Sequence, residues 1–215
     1  MPSAAPAPST VPATATAPAR SRHVVVRVCI QLSEAVLRAE RRVVQALMAL
    51  LLTLILINVA SRYGGWPIFW IDEAAVFAIV WLSFIGASAM ARLRLDFAVT
   101  LLTGQLGPVA AGRVKVVATF CSLLFAGGLL FMCWLWLDPL GMARAGFDAK
   151  AFAAESFNFI YTERSQALGW PNWVLYLVMP IFASTSCVHG VANLLEDLGA
   201  QAPVPRETAA VTAEA

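Results

Sequence analysis

The chain has 215 residues, of which 60% are hydrophobic and only 13% are charged. A mean hydropathy of +0.73 excludes a soluble domain of this size, because so much apolar surface could not be hidden inside it. The net charge of +2 points to no nucleic-acid partner.

Of residues 1–19, seventeen are Ala, Pro, Ser or Thr. No apolar run follows a basic start, so no secretory signal is expected, and residues 1–22 read as a disordered tail. Residues 23–42 follow as an amphipathic arm. Val28, Leu32, Ala35 and Val36 would form its apolar stripe, with Arg27, Glu34, Arg38 and Arg41 elsewhere on its surface. Ser33 could cap a new helix there. Two readings stay open: an interfacial arm helix running into the first span, or a continuous extension of that span.

Four charge-poor runs then define a membrane domain over 43–197, with spans at about 43–61, 73–91, 114–137 and 173–195. Each can cross ~30 Å of hydrocarbon. Backbone groups in lipid must satisfy one another, so the spans are helices and the fold is an all-α integral membrane protein. The second span is the best bounded. Asp72 and Glu73 open it, eighteen uncharged residues follow (Ala74 to Ala91), and Arg92 and Arg94 close it. Between spans two and three, DFAVTLL reads as a short amphipathic piece, and Pro108 suits the first turn of the third helix. In the long external loop, 138–170, Asp148 is expected to cap a short helix through Phe152, Phe157 and Ile160 on the membrane surface. Pro180 should bend the fourth span near Tyr176. Residues 198–215 read as a second disordered tail.

Orientation follows the basic residues. Eleven of the fifteen Lys and Arg fall before the first span, between spans two and three, or in the C-terminal tail. Both termini are therefore expected to be cytoplasmic. Six of the seven tryptophans agree: Trp66, Trp70, Trp134, Trp136, Trp170 and Trp173 gather at the opposite edge, and only Trp81 is mid-span.

Little in these spans suggests catalysis. The four cysteines form no CxxC pair, and Cys121 and Cys133 lie about 18 Å apart along one helix at 1.5 Å per residue. They read as packing residues. His23 and His189 are the two histidines, and only His189 is intramembrane. Thr185, His189 and Asn193 recur every four residues on one face of the fourth span. Interhelical hydrogen bonding explains such a stripe, and a substrate or proton path is the sharper alternative. Ser83, Ala87 and Ala91, beside Gly86, give the second span a small-residue face for another helix, in this chain or in a partner. Asp72 and Glu73 suit a helix N-terminus, and could equally reach Arg62 or a basic partner. No acid or ion pair sits at the centre of a span, unlike a protein that moves ions by itself. A membrane-anchor subunit of a redox complex is the competing class.

The order of these features resembles the small membrane subunit of tripartite ATP-independent periplasmic (TRAP) transporters, the DctQ-like family. The residues that carry the resemblance are Asn58-Val59-Ala60-Ser61-Arg62-Tyr63, then Trp70-Ile71-Asp72-Glu73, then Trp81, Phe84, Gly86, Ala87 and Arg92, and finally Pro171-Asn172-Trp173 with Pro180. Where the family usually carries a histidine and a Val-Asp pair, this chain carries Asp96, Val99 and Thr100. The resemblance implies a bacterial inner-membrane subunit without enzymatic activity or cofactor. It implies a large multi-span permease and a periplasmic substrate-binding protein as partners, and sodium-driven import of an organic acid or similar solute. Contacts with those partners are then expected at Arg62, Trp70, Asp72, Glu73, Ser83, Gly86, Ala87 and Arg92.

Overall fold

The computed structural model describes residues 17–94 and 105–199. The tails 1–16 and 200–215, and the amphipathic DFAVTLL piece with Asp96, Val99 and Thr100, lie outside the described residues. Among the described residues there are seven helices: α1 (Ala17–Tyr63), α2 (Trp70–Leu93), α3 (Pro108–Leu137), α4 (Pro139–Arg144), α5 (Ala149–Ser156), α6 (Asn172–Tyr176) and α7 (Val178–Asp197). Four helical stretches are long and apolar enough to cross a membrane: Val24–Tyr63, Trp70–Leu93, Val109–Arg144 and Asn172–Asp197. Helix α7 is central and packs on α1, α2 and α3, and α1 also packs along α2.

Helix α1 is one rod of 47 residues, about 70 Å long at 1.5 Å per residue. Residues 23–42 are part of this helix, and nothing breaks it before the first span. Its continuity has a sequence cause. Val26, Ile30, Ser33, Leu37, Glu40, Val44, Leu47, Leu51, Leu54, Asn58 and Ser61 are all buried or half-buried. They alternate steps of three and four, a 3.5-residue period that keeps one seam facing its neighbours for the whole length. The expected stripe is not that seam. Val28 and Leu32 are exposed, whereas Ile30, Ser33, Leu37 and Glu40 are turned inward. Ser33 does not start a helix; it lies within α1. The reason is chemical: its polar seam residues meet polar partners on α7.

Those partners form the tightest knot in the molecule. Arg92, near the end of α2, has no exposed surface. Its guanidinium donates to Asn193 Oδ1 at 2.6 Å, Glu34 Oε1 at 2.7 Å and Glu196 Oε1 at 2.8 Å. Two residues closer to the loop, Arg94 donates to Asp197 Oδ1 at 2.8 Å and to the Asn193 carbonyl at 2.9 Å. These bonds hold Arg94 in the left-handed region, φ 56°, where it ends α2. Thr119 of α3 donates to the other Asp197 oxygen at 2.9 Å. Residues of all four long helices thus converge at this basic edge. A buried charge survives only when paired and hydrogen-bonded.

The fourth span is interrupted where its proline requires. Helix α6 stops at Tyr176, Leu177 forms the break, and α7 begins at Val178 with Pro180 in its first turn. The Trp81 indole, alone at mid-span, donates to the Leu175 carbonyl at 3.1 Å.

The external loop closes the opposite, aromatic edge. Asp138 ends α3 in the left-handed region and caps α4, accepting from the Gly141 N–H at 2.9 Å. Asp148 caps the next helix as expected, accepting from Lys150 and Ala151 N–H. That helix stops at Ser156, short of the expected Phe157 and Ile160, because Phe157 turns left-handed at φ 55°. Asn158 donates to the Trp136 carbonyl at 2.7 Å and the Tyr161 hydroxyl to the Leu137 carbonyl at 2.6 Å, so loop side chains satisfy the open end of α3. Burial raises the Tyr161 phenol above its ordinary range, and the nearby Asp138 charge adds to the shift.

Removing Arg92 takes a buried guanidinium from Glu196 and Glu34 at once, and the more distant Arg94, 3.5 Å from Glu196 Oε2, does not replace it. The change Arg92→Met should therefore cost about 3–5 kcal/mol, as for one partner taken from a buried pair, and a thermal unfolding scan in mild detergent reads it. Arg92→Lys keeps the charge but not the forked geometry and should fall between. A contrasting small effect is expected at the Ser88–Thr185 hydroxyl pair, 2.7 Å apart. There a double-mutant cycle to alanine should yield a coupling of about 0.6 kcal/mol.

Candidate functional site

Polar groups collect at two levels of the bundle. Along α2, Asp72 and Arg92 are twenty residues apart, or ~30 Å at 1.5 Å per residue, which is the thickness of the hydrocarbon core.

At the aromatic edge, α1 and α2 are stitched together across the Gly64–Pro67 turn. Asn58 Nδ2 donates to Asp72 Oδ1 at 2.6 Å, and Arg62 donates to Asp72 Oδ2 at 2.7 Å and to Asn58 Oδ1 at 3.1 Å. The Arg62–Asp72 pair is more than half exposed on both sides, so solvent screens it and it adds little to stability. Glu73 does something different. Its carboxylate accepts the consecutive backbone N–H groups of Gln166 at 3.1 Å, Ala167 at 2.8 Å and Leu168 at 2.7 Å. That loop is itself folded into a narrow reversal. Ser165 N–H donates to the Trp170 carbonyl at 2.8 Å, and Asn172 N–H to the Glu163 carbonyl at 3.0 Å. Neither acid turns back onto the α2 N-terminus. Trp70, Phe69 and Trp66 lie exposed beside them.

Toward the basic edge, the Thr185–His189–Asn193 stripe faces the other helices of this chain. His189 is buried, with Nδ1 2.7 Å from Ser33 Oγ and Nε2 3.0 Å from Glu40 Oε2. Both ring nitrogens are taken, so neither is left for an axial haem ligand. Thr185 pairs with Ser88, and Asn193 also donates to the Ala91 carbonyl at 2.9 Å. Each member of the stripe is thus hydrogen-bonded to another helix of this chain.

The small-residue face of α2 divides. Ile85, Ser88 and Ala89 turn inward, as does Arg92, which offers no surface to another protein. Ser83 and Ala87 are exposed, and Ser83 bonds back to its own helix at Ile79 O, 2.8 Å away. A side chain added at Gly86 would meet open space. Ala87 borders a groove of about 470 Å³ between α2, α3 and α7. The groove exists because α3 packs principally on α7 and stands away from α2. The Gly190 backbone permits that packing: a Cβ there would meet Leu123 Cδ1 at 3.0 Å.

The sequence placed Arg62, Asp72 and Glu73 at one edge, and the structure adds Asn58 to them. The sequence did not mark Ser33, Glu34, Glu40, Thr119, Glu196 and Asp197 as members of the buried network. A signal for the α1 residues was present: the heptad seam continues through Ser33 and Glu40, which is where a surface arm would not place them.

The family model for the DctQ component of tripartite ATP-independent periplasmic transporters matches residues 51–200, from the middle of α1 past the end of α7. No curated protein and no solved structure matches the chain. With well over half of its length covered, and four helices able to span a bilayer, this chain belongs to the DctQ family of TRAP transporter components: it is a multi-pass subunit of the inner membrane and not an enzyme.

Proposed function

We propose that this chain braces the large permease of a sodium-coupled TRAP transporter that imports an organic acid or similar solute, and that its aromatic edge helps dock the substrate-binding protein. One observation carries the reading. Among the described residues, the buried arginine, glutamate and histidine side chains are bound to each other: Arg92 to Glu34 and Glu196, and His189 to Glu40. Groups locked in this way serve shape, since a transport path needs ionisable groups that can exchange partners with solute. Broad apolar faces remain exposed on α1 (Leu52, Leu56, Val59), α2 (Val76, Ile79) and α3 (Phe120, Leu124, Phe131), available to lipid and to another membrane subunit.

In the proposed orientation the basic edge is cytoplasmic and the aromatic edge periplasmic. The loop held by Glu73 then faces the compartment through which a periplasmic binding protein arrives. Arg62, Trp70 and Asp72 flank it, and Ser83, Gly86 and Ala87 offer a small-residue surface deeper in the membrane.

Three measurements bear on this reading. A cysteine placed at exposed Glu155 should react with an impermeant maleimide added outside spheroplasts, and one at exposed Arg113 should react only after lysis; the reverse pattern inverts the orientation. The purified chain alone in sodium-loaded vesicles should accumulate no solute, while mild-detergent purification from cells should recover a multi-span permease with it. Finally, Glu73→Lys places a cation against three N–H groups and releases the loop. Uptake should fall severalfold with the permease still bound, and normal uptake would remove this edge from the docking surface.

A further inference from the structure

The groove between α2, α3 and α7 has a chemistry that neither bracing a permease nor docking a binding protein uses. On α3 its wall runs from Lys115 to Ala126, and on α7 from Phe182 to Asn193. Each is twelve residues, a rise of ~16 Å over eleven steps of 1.5 Å, which is half the hydrocarbon thickness. The groove therefore begins at the basic edge and stops near the bilayer midplane, where Phe182 meets Phe84 edge-on with ring centroids 5.3 Å apart. Its deep walls are small or apolar: Ala87, Ala118, Phe125 and Ala126. Two cations stand at its mouth. Arg94 is tied to Asp197 and Asn193, as described above. Lys115 is exposed and has no ion pair among the described residues.

We propose that this groove holds one phospholipid of the adjoining leaflet, with an acyl chain along the small-residue walls and an anionic phosphate headgroup on the Lys115 ammonium. The length selects this occupant over a partner helix, which would need a groove crossing both leaflets. The charge arrangement selects the headgroup. Arg94 is neutralised by Asp197, so the ammonium of Lys115 is the cation left to meet an anion where membrane phosphates lie. The acyl chain replaces solvent-like space beside Ala87 and Ala118 with close contacts, which gives α3 a second neighbour besides α7. The inference leans on the proposed orientation only to say which leaflet supplies the lipid.

A photocrosslinking amino acid tests it. Phe125 is 67% exposed, so p-benzoylphenylalanine replaces it ring for ring with little demand on folding. The assembled transporter carrying this residue is placed in nanodiscs of phosphatidylethanolamine with phosphatidylglycerol as the minor lipid, irradiated and read by mass spectrometry. The expected adduct is a phospholipid, with phosphatidylglycerol enriched about fivefold over its bulk share, the effect of one cation near the membrane surface. Lys115→Gln should return the ratio to bulk, and Arg113→Gln, exposed but outside the groove, should leave it enriched. A phosphatidylglycerol share equal to bulk, or unchanged by Lys115→Gln, overturns the headgroup assignment. An adduct on another polypeptide, or on residues 95–104 of this chain, overturns the lipid altogether. Both of these last outcomes leave the bracing of a permease standing, and an adduct on the permease itself would locate that contact.

Discussion

The full burial of Arg92 is the constraint from which the rest of the architecture follows. A guanidinium removed from water demands carboxylates at hydrogen-bond distance, and here they come from both ends of the sequence. Glu34 lies on α1 and Glu196 on α7, separated by 162 residues (196 − 34). Meeting that demand fixes the vertical register of three helices at once. It also explains why α1 cannot stop at the membrane surface: its N-terminal half must run alongside α7 to deliver Glu34 and Glu40. Thr119 then draws α3 to the same level through Asp197. The buried pairs add less to net stability than their number suggests, since desolvation offsets most of the attraction. What they supply is alignment.

The spans were legible in the sequence because lipid imposes a simple rule. Runs such as Ala74 to Ala91 admit no charge, and the acids and arginines that flank them mark the edges. The break in the fourth span was legible for an equally local reason, the missing N–H of Pro180. The face of α1 that turns inward was not. Val28 and Leu32 look like the obvious stripe, and Ser33, Glu34 and Glu40 look like surface. Their burial depends on His189 and Arg92, which lie far away in sequence, and hydropathy treats a polar residue alike whether water or a buried partner satisfies it. Periodicity held the missing information, because the seam that runs from Ile30 through Leu37 and Val44 to Leu51 never slips.

Glu73 shows the same limit at the other edge. An acid in the first turn of a helix has a sufficient local explanation in the helix dipole, and that explanation hides its real partners. Three consecutive N–H groups from a loop more than ninety residues away converge on it. The loop in turn carries Asn158 and Tyr161 to the end of α3. Long as it is, the loop is therefore a connector that ties the start of α2 to the end of α3, two helices that barely touch within the bundle.

The separation between the Asp72 and Arg92 levels carries one more consequence. Both belts are fastened to more than one helix, so the distance between them cannot stretch or compress as a single tilting helix could. The surrounding bilayer must adjust instead, thinning or thickening where it meets this protein. A rigid gauge of this kind favours membranes whose hydrocarbon is close to its own height, and any companion subunit seated against it meets lipid of the same local depth.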